Sequence, residues 1–249
     1  MIIIKNNKEI DLMRSAGRIV AETLLLVEEK VRPGITTAEI DRIAEEFITK
    51  HGAKPSFKGL YGFPASLCIS VNEQVVHGIP GGYVLKDGDI VSVDCGAYLN
   101  GFHGDAARTF AVGNVSEEAN KLIKVTEQSF FKGIEYAKVG NRLTDISHGI
   151  QSYIEASGFA VVRDFVGHGI GRVVHEDPDV PNFGKPGRGP KLAQGMALAI
   201  EPMVNLGSYK VKTLNDDWTV VTSDGSLSAH YENTIVILPD GPEILTLIK

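Results

Sequence analysis

The sequence predicts an α+β fold, with helices packed on a mostly antiparallel sheet and arranged as two related halves. Three observations carry this. The stretch Leu85–Asp94 (LKDGDIVSVD) recurs 107 residues later as Leu192–Glu201 (LAQGMALAIE). Each copy has a Leu, a Gly three residues on, an apolar run and a terminal acid. Second, Gly34–Gly52 recurs at a shift of 106 as Gly140–Gly158, so that Ile40 meets Ile146, Phe47 meets Tyr153 and Ile48 meets Ile154. Two amphipathic helices could resemble each other by chance, but the strand match at a nearly equal shift argues for a repeat. Third, Asn100-Gly101 is a strong two-residue hairpin signal. The chain reads helix, helix, strands, twice over, as a single domain spanning 1–249 with internal halves of about 1–115 and 116–249.

Taken in order, Ile10, Met13, Ala16, Gly17, Val20, Leu24 and Val27 fall at three- and four-residue steps, which predicts an amphipathic helix from about Lys8 to Lys30. Pro33-Gly34 ends the connection, Thr36-Thr37 caps a second helix to about Lys50, and Gly52 stops it. In the second half Ser116 precedes a helix to about Lys138, with Glu117 and Glu118 suited to its first turn. The Gly/Pro-rich stretch Asn182–Pro190 reads as a loop, and matching the halves requires an insertion around Tyr209–Ser226.

Composition places the chain among ordinary soluble proteins: 249 residues, 43% hydrophobic, 22% charged. The formal charge of -6 argues against nucleic-acid specificity. Cys68 and Cys95 make no disulfide framework and no zinc-finger spacing, which suits a reducing cytosol. The N-terminus lacks a signal-peptide core, and no stretch approaches the roughly 18 apolar residues of a membrane span. The expected location is cytoplasmic.

The chemistry begins with the acids that end the repeated strands. If Asn100-Gly101 form the loop, paired residues sum to 201, Gly96 faces Asp105, and Asp94 lies diagonal to Asp105 on the same sheet face, roughly 7–8 Å away. By the repeat Glu201 answers Asp94, and Glu232, in SLSAHYENTIVIL, is expected to answer Asp105. Acids gathered in an apolar interior repel one another unless a cation sits between them. His168 and His175 lie in GHGIGRVVHEDP, and His77 in VVHGIP. A lone histidine near glycine is usually an ordinary loop residue; three beside four acids are not so easily dismissed. His51, His103, His148 and His230 have no comparable context and are expected to be structural or on the surface. Four acids and a histidine disfavour a thiolate zinc site and favour Mn, Fe(II), Co or a catalytic Zn pair. Two divalent ions would nearly neutralise four carboxylates and activate a water for hydrolysis.

In the order D, D, H, E, E, the residues Asp94, Asp105, His168, Glu201 and Glu232 sit in VDCGAYLNGFHGDAART, GHGIGRVVHEDP, AIEPMV and SAHYENT. With VNEQVVHGIP they resemble the type I methionine aminopeptidases of peptidase family M24, almost end to end. The resemblance implies the pita-bread fold, two metal ions held by those five residues, and removal of N-terminal methionine from nascent chains whose next residue is small and whose amine is deformylated. It implies that Asp94 chelates one ion, that His168 and Glu201 hold the other, and that Asp105 and Glu232 bridge. It assigns His77 and His175 to substrate and to oxyanion stabilisation, Glu201 to proton acceptance, and Phe63, Cys68, Trp218 and Tyr61 to the side-chain pocket. It further implies a monomer in transient contact with ribosomes and the short bacterial form without added domains. Two positions depart from the pattern: Val174 replaces a bulky aromatic common in bacterial members, and Gly96 a hydroxyl residue. The alternatives are an Xaa-Pro dipeptidase or aminopeptidase of the same fold, and a peptide-binding relative that has lost catalysis.

Overall fold

The computed structural model describes residues 1–248. The first half opens with α1 (Asn7–Lys30) and α2 (Thr37–Lys50). The Asn6 side chain accepts the Glu9 amide while the Glu9 carboxylate accepts the Asn6 amide, a reciprocal cap that starts α1. Thr36 caps α2 through the Glu39 amide. The strands β1 (Lys54–Pro55), β2 (Leu67–Val71), β3 (Gln74–Val76), β4 (Ile90–Leu99) and β5 (Phe102–Ala111) follow. β4 is central, flanked by β1, β2 and β5, and α1 packs across the β4–β5 ladder. The core here joins Val20, Leu24 and Ile40 from the helices to Leu67, Val91 and Val93 from the sheet.

The second half repeats the order with α3 (Glu117–Ile134) and α4 (Leu143–Ala156). Ser116 caps α3 through the Ala119 amide. α3 ends at Ile134, short of the expected Lys138. The apolar spacing persists to the buried Ala137, but Tyr136 and Ala137 bond back to Gly133 and Ile134 in a tight turn rather than in helix. The later strands are β6 (Ala160–Val161), β7 (Gly167–Gly169), β8 (Glu176–Val180), β9 (Ala197–Ile200), β10 (Met203–Asn205), β11 (Val211–Thr213), β12 (Val220–Thr222), β13 (Ser228–His230), β14 (Asn233–Leu238) and β15 (Gly241–Ile244). The expected single sheet is divided: β15-β14-β9-β7-β8 is one sheet, β13-β10-β6 a second, and β11-β12-β3 a third that carries a first-half strand. The ladder pairings among the described residues are antiparallel. Residues 182–190 hold no helix or strand, and Tyr209–Ser226 contains the β11–β12 hairpin.

The halves are stitched together along β5 and the chain leading into β14. The Ala107 and Glu232 backbones exchange both hydrogen bonds, at 3.3 and 3.0 Å. Two residues away on either side, a threonine hydroxyl takes the place of a peptide group. Thr234 Oγ1 accepts the Asp105 amide and donates to its carbonyl, and Thr109 Oγ1 does the same for His230. The pattern reads the same from either half. The half-buried Arg108 guanidinium clamps the seam, donating to the carbonyls of Ala107 and Glu232 and to Asn233 Oδ1, and lies 4.2 Å from the Tyr231 ring centroid.

Candidate metal centre

The hairpin pairs as its turn predicts: Leu99 with Phe102, Gly96 with Asp105, Asp94 with Ala107. Asp94 and Asp105 therefore share a face, and β2 places Cys68 beside Asp94. In the second half β9 pairs Ile200 with Asn233, and the register carried one step on sets Glu201 opposite Glu232. Pro202 lacks an amide donor and ends the ladder there. This register corrects one expectation. Glu232 answers Ala107, not Asp105, because Asp94 faces Ala107 just as Glu201 faces Glu232. The residue that answers Asp105 across the seam is His230.

His168 sits in β7, paired with Ala199 of the strand that delivers Glu201. Its Nδ1–H donates to the Gly169 carbonyl at 2.8 Å, which leaves the Nε2 lone pair free. That nitrogen is 3.6 Å from Glu201 Oε1 and 4.0 Å from Asp105 Oδ2. His175 lies edge-on to His168, centroids 4.5 Å apart, and Tyr61 stacks on its outer face at 5.9 Å. His77 follows β3 at φ 59, a left-handed backbone rarely taken by side-chain-bearing residues and common at functional sites. The next residue must be small, since a Cβ on Gly78 would lie 2.2 Å from the Ile69 carbonyl oxygen. His230, expected to be structural or exposed, is instead buried in this centre, with Nε2 3.7 Å from Glu201 Oε2 and 3.9 Å from Glu232 Oε2. Strand alternation was the available signal: His230, Glu232 and Thr234 step along one face.

Burial dominates the electrostatics. Asp94 is pushed up to about 7 by burial, partly offset by hydrogen bonds from Asp105 and the Cys95 amide. Burial and the neighbouring carboxylates raise Asp105, Glu201 and Glu232 well above the ordinary range. Burial also holds the imidazoles neutral, with His77 and His168 lowered to about 4, His230 to about 3, and His175 lowered as well. Four acids and unprotonated imidazoles facing each other leave a cation as the missing partner. Asp94 Oδ1, Asp105 Oδ1, Glu232 Oε1 and His230 Nε2 are buried with no hydrogen-bond partner among the described residues. Two sets, Asp105–His168–Glu232 and Glu201–His230–Glu232, each offer ligand atoms within 4.8 Å of one another. The donor set fits divalent ions.

Beside the carboxylates is a cleft of about 520 Å³. The expected Phe63, Cys68, Trp218 and Tyr61 line it; Phe63 and Cys68 are buried, with Trp218 edge-on to Phe63 at 5.1 Å, while Tyr61 is 76% exposed at the rim. Cys68 is raised by burial and by Asp94, so it packs as a neutral thiol. Phe165 also lines the wall, edge-on to His77, and Asp164, Asp177 and Asp179 form an acidic rim; no motif marks these four residues together in the sequence. Val174 is buried against this apolar cluster. Gly96 has a steric cause: a Cβ there would lie 2.7 Å from the Ser56 Cβ and 2.8 Å from the Phe57 ring.

The profile of metallopeptidase family M24 matches residues 11–239. A methionine aminopeptidase of Clostridium perfringens is 79% identical over all 249 residues, covering the whole of both chains. The crystal structure of a methionine aminopeptidase from Thermotoga maritima superposes with a TM-score of 0.98 at 48% identity, again over the whole of both chains. An Xaa-Pro dipeptidase from Bacillus anthracis shares the fold, with a TM-score of 0.79 at 24% identity, and this chain spans 62% of its length. The chain belongs to metallopeptidase family M24 and has the pita-bread α+β fold.

Proposed function

We propose that this metallopeptidase removes the N-terminal methionine of nascent proteins whose next residue is small and whose amine is free. The observation that carries the reading is the meeting of four acids, Asp105 and Glu232 buried and Asp94 and Glu201 half-buried, and His168 with the soft apolar cleft of Phe63, Cys68 and Trp218. A thioether suits such a wall, and the cleft is large enough for a methionine side chain. Full-length identity to methionine aminopeptidases favours this over the Xaa-Pro reading, for which the likeness is one of fold.

Asp94, Asp105, His168, Glu201 and Glu232 would hold two divalent ions, from among Co, Mn, Fe(II) and Zn, within a single catalytic domain. When bound, such ions polarise a carbonyl and lower the pKa of a water, so that hydrolysis runs at neutral pH. The chain's own groups do the rest. Glu201, its side chain 14% exposed, accepts the proton of the attacking water at its carboxylate. His77 and His175 are neutral at pH 7, and each has one N–H to give to the peptide; donation to the carbonyl oxygen favours its developing negative charge. Tyr61 over His175 shields that donor from water. A formyl group would remove the free amine that the centre is to hold, and a bulky second residue would meet the walls.

The location is cytoplasmic, the enzyme acts as a monomer, and its contact with ribosomes is transient; among the described residues no helix is long and apolar enough to cross a membrane. The test is a peptide panel with metal-stripped enzyme resupplied with each ion. Release of methionine from Met-Ala-Ser, absent with formyl-Met-Ala-Ser and with Met-Leu-Ser, supports the reading. Cleavage confined to Xaa-Pro peptides moves the chain to the other branch of the fold, and tight metal binding without cleavage points to a binding protein.

A further inference from the structure

We propose that His230 is a further ligand of the metal centre, so that two imidazoles, both from the second half of the fold, flank Glu201. The inference rests on the metal-centre reading above and adds a residue to it.

The geometry around the two histidines is nearly the same. His168 Nε2 stands 3.6 Å from one oxygen of Glu201 and 4.0 Å from Asp105. His230 Nε2 stands 3.7 Å from the other oxygen of Glu201 and 3.9 Å from Glu232. These separations are too long for hydrogen bonds. They suit donor atoms gathered about a common ion, each of which would lie about 2.0–2.2 Å from it. A buried ring nitrogen without a partner is costly, and His230 Nε2 has none among the described residues. The internal symmetry gives a reason for a donor at this position. His230 takes the place across the seam that Asp105 takes in the first half, and the hydroxyls of Thr109 and Thr234 hold the two backbones in matching ways. An imidazole there adds a donor without adding charge, so two divalent ions still balance four carboxylates.

The consequence is a change in metal preference. Imidazole suits Zn, Fe and Co, whereas Mn does well with carboxylate and water. A second nitrogen should tilt the centre toward the former.

The test titrates Zn(II) into metal-free, 15N-histidine-labelled protein and follows the ring nitrogens by NMR. The expected result is that two of the seven histidines take up metal-bound ring shifts, and that His230→Gln removes one of the two. His230→Gln should also weaken Zn or Co binding at one site by at least about tenfold in calorimetry while Mn binding changes less. Movement of His168 alone would overturn this inference and leave the metal centre standing, with His230 acting from outside it. No metal-bound histidine at all would overturn the metal-centre reading itself, and this inference with it. The wild-type titration requires no variant to fold.

Discussion

The two halves build the same seam from the same backbone plan and yet supply it with different chemistry. In the first half β4 and β5 form one unbroken ten-residue ladder around a two-residue turn, and its site-facing donors are the two aspartates alone. In the second half the equivalent hairpin is interrupted. After Glu201 and Pro202 the chain detours through β10 and the β11–β12 arm before returning at His230 and Glu232. That detour brings Trp218 to the cleft, and the loop between β7 and β8 brings His175. The first half thus supplies two carboxylates, His77 and the Phe63–Cys68 side of the cleft, and the second half supplies His168, His175 and His230 with the Trp218 side. A repeat can keep its scaffold symmetric while function concentrates on the half whose loops lengthened.

The sharpest way to break this comparison is at the seam. Glu232→Ala removes the acid whose counterpart is Ala107; turnover should vanish and bound metal fall, with circular dichroism largely unchanged. Full activity in that variant would end the claim that Glu232 holds the ions. Next in size, His175→Ala should retain metal but lower kcat by at least about a hundredfold, as expected for loss of a donor to the carbonyl oxygen. A large drop in metal content instead would make His175 a ligand.

Metal removal tests the shared electrostatics. The centre's acids titrate higher folded than unfolded, Asp94 near 7, while burial lowers His77 and His168 to about 4 and His230 to about 3. Between about 4 and about 6.5 the two sets oppose each other, the acids making stability fall as pH rises and the imidazoles making it rise. Above about 6.5 an unfolded imidazole is already neutral, so the acids act alone and the stability of the metal-free protein falls as pH rises through about 7. Thermal melts of stripped protein should show Tm falling from about pH 6.5 upward, and a divalent ion should flatten the fall. A Tm that rises with pH over that window contradicts the account.

The symmetric part of the seam predicts symmetric losses. Thr109→Val and Thr234→Val each strip the partner from one amide and one carbonyl, at about 1–3 kcal/mol per orphaned group. Denaturant melts should give similar losses for the two; a loss confined to one variant would mean that the seam is not two-sided. The smallest effect expected is for Gly96→Ser, which overpacks against Ser56 and Phe57 and should cost about 1–3 kcal/mol in total. An unchanged melt would show that those neighbours yield freely.

Legibility in the sequence followed the same division. The first-half hairpin could be read to the residue, because Asn100-Gly101 fixes the turn and a two-residue period fixes the rest. Glu201 came from the repeat. The counterpart of Glu232 was misjudged because the register passes through backbone contacts between distant strands, which no local spacing records. His230 was passed over on the strength of its neighbours, although its place two residues before Glu232 on a strand put it on the same face. The end of α3 was overrun because Ala137 is buried by a turn rather than by a helix. Phe63, Cys68, Trp218 and Tyr61 followed from resemblance alone, since their meeting at one cleft brings Trp218 from the second half against the Tyr61–Phe63 turn and β2 of the first.

The most direct measurement is anomalous diffraction from crystals of the metal-loaded protein. The account predicts two peaks about 3.5–4 Å apart, enclosed by Asp94, Asp105, His168, Glu201 and Glu232, at the seam between the halves. Peaks at the acidic rim of Asp164, Asp177 and Asp179, or no peak among the buried carboxylates at saturating metal, would contradict it.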